Sequence, residues 1–161
     1  MAGVEFVEFD TALAATIAGW PTSADEAYRW CGQREVRPDM VAEWALAEDV
    51  RAFVLVDDGI PVGYGELWLD EGEEGEIELS RLIVAPARRG QGVGRALVEA
   101  LTGAARQHPT GLIFLRVHPD NAIAARVYRA AGFRPVDQDT AAEWNARQPV
   151  AYEWLVYPEL R

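Results

Sequence analysis

Apolar residues recur along this chain with two periods, and the change from one to the other marks the elements. "VEFVEF" (residues 4–9) mixes apolar and acidic positions in a strand-like way, and Asp10 or Thr11 can cap the helical segment that follows toward Trp20. Pro21 breaks that pattern. Thr22 or Ser23 opens a second short helix holding Tyr28 and Trp30, and Pro38 or Asp39 opens a third through Trp44 and Leu46. In "AFVLVDDGIPVGYGELWL" two apolar runs flank Asp57, Asp58 and Gly59, which predicts a β-hairpin. A strand over 76–84 follows the acidic turn "DEGEEGE". Beyond Pro86, Val93, Leu97, Val98 and Leu101 keep helical spacing until 109–111, and "LIFLRV" returns to a strand. Asn121 opens a further helix through Tyr128 that Gly132 closes, and "FRPV" and "VAYEWLVY" are expected as two final strands.

No repeat, linker or low-complexity stretch interrupts this order, and half of the 161 residues are hydrophobic, so residues 1–161 are expected to form a single domain. The N-terminal segment lacks the features of a signal peptide and no apolar run approaches the length of a membrane span; a soluble, cytoplasmic protein is expected. Cys31 is the one cysteine, which excludes an internal disulfide, and His108 and His118 lack zinc-site spacing, so the chemistry is expected to use no metal. Fifteen Lys+Arg against 26 Asp+Glu give a formal net charge of −11, which argues against a nucleic-acid partner and favours, weakly, a cationic one.

Against that acidic background, "APARRGQGVGRALVEAL" gathers Arg88, Arg89 and Arg95 around Gly90, Gly92 and Gly94. A strand entering a glycine turn and then a helix exposes main-chain N–H groups at the positive end of the helix dipole, a setting that suits phosphate oxygens. Two better-known phosphate loops are excluded. Arg95 and Ala96 stand where a Walker A loop needs Lys-Ser/Thr, and Arg95 stands where a dinucleotide fingerprint needs its last glycine.

The spacing Arg89-x-x-Gly92-x-Gly94, after "LIVAP" and before an amphipathic helix, resembles the GNAT superfamily of N-acetyltransferases. "NAIAARVYRAAGF" adds Asn121, Ala124, Tyr128, Gly132 and Phe133 at the spacing of that family's second cofactor-binding helix. The resemblance implies an α/β (α+β) fold with a mixed, mostly antiparallel central sheet flanked by helices, its central strands splayed into an acetyl-CoA cleft. It implies acetyl-CoA as cosubstrate, its pyrophosphate wrapped by the main chain of Arg89, Gly90, Gln91, Gly92, Val93, Gly94 and Arg95. The strand Leu82, Ile83 and Val84, bulged in the family, would offer main-chain groups to the pantetheine arm and an N–H near Ile83 to the thioester carbonyl. Asn121 and Ala124 would flank the pantetheine, Asn121 also serving as a helix cap.

Transfer to an amine also needs an acid for the departing thiolate and a base for the ammonium. Tyr128 matches the family's tyrosine and can donate where phenylalanine could not. Glu78 stands fourteen residues before Gly92, as the catalytic glutamate does in protein-acetylating members, and crowding by Glu73, Glu74 and Glu76 would raise its carboxyl pKa. An ordered water, held by Ser80 for instance, is the other candidate base. The function expected is therefore acetyl transfer to a small-molecule or peptide amine, the alternative being a non-catalytic acyl-CoA sensor. Six tryptophans and the 20–44 segment are expected to shape the acceptor site, and pairing of the last strand could form a homodimer.

Overall fold

The computed structural model describes residues 3–70, 75–109 and 111–158. Its strands are β1 (Val4–Glu8), β2 (Val50–Asp57), β3 (Ile60–Asp70), β4 (Glu76–Val84), β5 (Leu112–Val117), β6 (Arg134–Pro135) and β7 (Glu153–Tyr157). Its helices are α1 (Ala14–Ala18), α2 (Ala24–Cys31), α3 (Pro38–Leu46), α4 (Val93–Ala105), α5 (Ala122–Ala130) and α6 (Gln138–Asn145). The strands form one sheet in the order β1-β2-β3-β4-β5-β7-β6, antiparallel everywhere except between β4 and β5. α4 joins those two, because parallel neighbours need a crossover.

Alternation along the strands feeds two cores. On one face α4 lays Val93, Leu97 and Leu101 against Leu67, Leu79 and Leu115. On the other, Ile17 of α1 and Val41 of α3 cover Val54, Tyr64 and Ile83. The β2–β3 hairpin turns through Asp58 (φ 48°) and Gly59 (φ 82°), two left-handed residues whose twist suits a tight hairpin.

Three expectations need correction. The first helix starts as a 3-10 turn over Thr11–Leu13 and ends at Ala18. "FRPV" contributes only the two residues of β6, and α6 intervenes before β7, opened by Asp137, whose carboxylate accepts from the Thr140 N–H at 2.7 Å. β7 lies between β5 and the two-residue β6, so it is not the edge strand of the sheet. Glu73 and Glu74 of the acidic turn lie outside the described residues.

Candidate active site

β4 and β5 begin side by side and then part. Their ladder holds only Glu76 to Leu112, Ile77 to Ile113 and Glu78 to Phe114, although β4 continues to Val84 and β5 to Val117. Past Glu78 the centre of the sheet is therefore a fork.

The β4 prong carries a bulge that the sequence did not reveal. Opposite β3, Ser80 faces Glu66 and Ile83 faces Tyr64, so two β4 residues answer the single Gly65. Arg81 takes up the extra length with a φ of 49°, a left-handed conformation costing a non-glycine residue about 1–2 kcal/mol. The bulge resets the alternation. Leu82 and Val84 return to the α4 side, while Arg81 turns to the opposite face with Glu78 and Ser80. The indole of Trp30 donates to the Arg81 carbonyl at 2.8 Å and holds the bulge.

Past the tip of the β4 prong lies the glycine turn. Gly90 and Gly92 are left-handed (φ 76° and 84°), and a Cβ on either would meet nothing within 4 Å, so the main chain is open on that side. Ala96 is the residue that bonds back to the Gly92 carbonyl (3.1 Å), which leaves the Val93, Gly94 and Arg95 amides in the turn without intrahelical acceptors. Gly94 ties the turn to its surroundings: a Cβ there would stand 3.6 Å from Val127 and 3.7 Å from Val84.

The arginines around this turn are each paired with a carboxylate, and Arg88 also donates from Nε to the Gln91 side chain at 3.3 Å. Arg89 clasps Glu26 of α2 with both terminal nitrogens (2.8 Å each), and its Nε donates to the Val84 carbonyl at 3.1 Å. Arg88 holds Asp57 at 2.5 Å, and Arg95 pairs with Glu99 one helical turn on. Burial pushes the Glu26 carboxyl up, but the hydrogen bonds and charge of Arg89 and bonds from Thr22 outweigh it and hold Glu26 below its ordinary value. The Arg89 side chain thus fastens the loop to α2 and occupies the Val84 carbonyl; what remains open here is main chain.

Across the fork, Asn121 caps α5, its side chain accepting from the Ala124 N–H at 3.2 Å. Tyr128 packs half-buried on the α4-side core, where burial pushes its phenol up to about 12, and its hydroxyl has no hydrogen-bond partner among the described residues. Gly132 (φ 103°) ends the helix against the Tyr157 ring. His118, beyond β5, accepts from the Asp120 N–H through Nδ1, a loop role.

The opposite sheet face carries two carboxylate–arginine pairs. Glu78 is held by both forks of Arg116 (2.7 and 2.9 Å), and Arg116 also donates to Gln148 and lies over the Tyr152 and Trp154 rings. The hydrogen bond to Glu78 raises the Arg116 pKa further. Nothing in the sequence signalled that the Glu78 carboxylate answers a guanidinium; of the glutamates expected to crowd it, Glu73 and Glu74 lie outside the described residues. On the other side of β4, Glu66 is fully buried and accepts from Tyr64 (2.5 Å), Trp68 (2.8 Å) and Arg81 (3.0 Å). Arg81 lies over the Trp44 and Trp68 rings at 4.2 and 4.9 Å. Glu66, Arg81 and Arg116 were not singled out from the sequence. The signal available was a charged residue inside an apolar strand, "GYGELWL", since a buried charge demands a partner.

A parallel fork with a glycine-rich helix start past the tip of one prong and a tyrosine helix following the other is the arrangement that the sequence motifs foreshadowed. The sequence profile of the acetyltransferase (GNAT) family matches residues 13–133. The chain belongs to that family. Among curated proteins, a streptothricin acetyltransferase of Streptomyces lavendulae is 33% identical over 94 residues, 58% of this chain. The N-alpha-acetyltransferase RimI of Mycobacterium tuberculosis is 39% identical over 61 residues, 38% of this chain. The matches span 49% and 37% of those relatives. Among solved structures, the spermidine N-acetyltransferase of Vibrio cholerae with CoA and spermine superposes with a TM-score of 0.73 at 19% identity, covering 85% of this chain and 84% of that one. The aminoglycoside acetyltransferase AAC(6')-Ib with coenzyme A and kanamycin gives 0.71 at 21% identity, covering 96% and 95%. At these identities the structural likeness establishes the GNAT fold. Among the described residues no helix is long and apolar enough to cross a membrane.

Proposed function

We propose that this chain is one N-acetyltransferase domain that moves an acetyl group from acetyl-CoA directly to a primary amine. The observation that carries the reading is the fork between β4 and β5, with the open amides of residues 90–95 past the tip of its β4 prong. These residues fit a diphosphate: glycines clear the approach, and a helix start supplies uncommitted donors. When bound, acetyl-CoA supplies an acyl carbon activated by its thioester. The main chain of Gly90, Gln91, Gly92, Val93, Gly94 and Arg95 holds the diphosphate. Leu82 and Ile83, on the β4 prong where it has left β5, offer main-chain groups to the pantetheine arm and polarise the carbonyl. Asn121 and Ala124 border the same channel.

Tyr128 donates its proton to the thiolate; its raised pKa keeps it protonated across the working range, and its hydroxyl is not spent elsewhere in the described chain. The ammonium proton passes to water, because Glu66 and Glu78, the carboxylates beside the point where β4 and β5 part, are both committed to arginines. Glu78 orients Arg116.

The test is calorimetry with coenzyme A followed by thiol release in the presence of acetyl-CoA and a panel of primary amines. Binding with amine-dependent thiol release supports transfer. Binding with none from any amine supports the acyl-CoA sensor, and no binding overturns both.

A further inference from the structure

On the sheet face that carries Glu66 and Glu78, both carboxylates are less exposed than their arginine partners, while Asp70 and Glu76 lie at the far end of the same β3–β4 ladder. Glu66 has no exposed surface and Glu78 only 8% of its side chain, while their partners Arg81 and Arg116 keep 20% and 31% exposed. Each carboxylate lies behind its arginine. Each guanidinium is also braced by two aromatic rings that it lies over, Arg81 by Trp44 and Trp68 and Arg116 by Tyr152 and Trp154. Bracing of this kind fixes the plane of the donors and removes rotamer entropy in advance of any ligand.

Their placement is what gives them a use. The β4–β5 ladder ends at Glu78 and Phe114; Arg81 lies three residues further along one prong and Arg116 two residues further along the other. Glu78 faces Phe114 across one ladder and Trp68 across the next, so the Arg116 pair and the Arg81 cluster share a sheet face. The two arginines thus stand on opposite prongs just past the point where the strands part. Donors remain. Arg81 spends Nη1 on Glu66, and its Nε and Nη2 have no partner among the described residues. Arg116 spends one N–H on Glu78 from each of Nε and Nη2 and one on Gln148 from Nη1, three of the five a guanidinium carries.

We infer that the acceptor is an amine bearing a carboxylate, which Arg81 and Arg116 receive from the two prongs while the amine points into the fork. The inference rests on the transferase reading and assigns its substrate class: a zwitterionic amine of amino-acid or short-peptide type rather than a polycation. Such a molecule carries no net positive charge to be repelled by the two arginines, and being neutral overall it is not turned away by the chain's net charge of −11.

The experiment compares kcat/KM for matched pairs differing only by the carboxylate: phenylalanine and phenethylamine, tyrosine and tyramine, histidine and histamine, lysine and cadaverine. The carboxylate member of the best pair is expected to lead by about 10-fold or more, the worth of a charge-assisted pair of hydrogen bonds. The double variant Glu78→Gln, Arg116→Gln leaves no buried carboxylate unpaired; in it that preference should collapse, mainly through KM. Arg116→Lys, which keeps charge without the fork, should restore part of it. If the decarboxylated amines are used as well or better, or the double variant keeps the preference, the inference falls while the transferase reading stands. If no amine is turned over, calorimetry of the four carboxylate amines on the CoA-bound protein decides: absence of heat overturns the inference, and absence of heat with CoA itself overturns the transferase reading.

Discussion

The indole Nε1 of Trp30 donates to the carbonyl of Arg81 at 2.8 Å, tying α2 to a left-handed residue 51 positions further along the chain. That bond and the ion pair from Arg81 to Glu66 offset the backbone cost of the bulge. Trp30→Phe keeps a ring against Trp44 and Tyr64 and removes only the donor. It should cost about 1 kcal/mol in urea unfolding and lower kcat while leaving CoA affinity in calorimetry unchanged. A loss of affinity that tracks kcat would mean that the bond holds something other than the bulge.

Glu78 and Arg116 act as one unit, so Glu78→Gln should weaken the fold by about 1–3 kcal/mol, as loss of a charged hydrogen-bonded pair does. The rising limb of kcat/KM against pH should keep its apparent pKa in this variant, with only its height reduced. Disappearance of that limb would make Glu78 the base after all.

Arg89 and Glu26 offer a double-mutant cycle. Arg89→Ala and Glu26→Gln each free the glycine turn from α2, and the double variant should weaken CoA binding no more than the worse single one. Additive losses would show Arg89 contacting the ligand independently. Because Glu26 is held below its unfolded value, the pair's contribution is present above about pH 4.3 and is lost as pH falls through the folded pKa.

Tyr128→Phe should lower kcat by about 100-fold, a general acid's ordinary contribution, with KM for acetyl-CoA nearly unchanged. The pKa near 12 also has a stability consequence. Folding favours the protonated phenol, so its contribution is complete below about pH 10, the unfolded value, and disappears as pH climbs toward the folded one. Tyr64, raised by burial and by Glu66, acts in the same direction. Urea unfolding followed from pH 9 to 12 should show falling stability, partly flattened in the phenylalanine variant.

Gly92→Ala places a Cβ on a left-handed residue in open space, so its cost is conformational, about 1 kcal/mol. It should weaken CoA binding more than it lowers the midpoint of unfolding. An unchanged affinity would remove the turn from the binding site.

Local pattern determined a great deal here. The alternation of the strands, the Asp58–Gly59 turn, the glycine spacing at 90–94 and the cap at Asn121 are decided by residues close in sequence, and the structure places them as read. α6 could have been read from its cap, Asp137, but follows no strong apolar stripe. What only the tertiary structure decided are the relationships between distant residues: where β4 and β5 part, the bulge at Arg81, and the partners of every arginine near the site. A guanidinium has the same sequence signature whether it faces a phosphate or a carboxylate. Glu26, Asp57, Glu66 and Glu78 claimed Arg89, Arg88, Arg81 and Arg116 because folding brings them within 3 Å, where burial makes an unpaired charge too costly to leave.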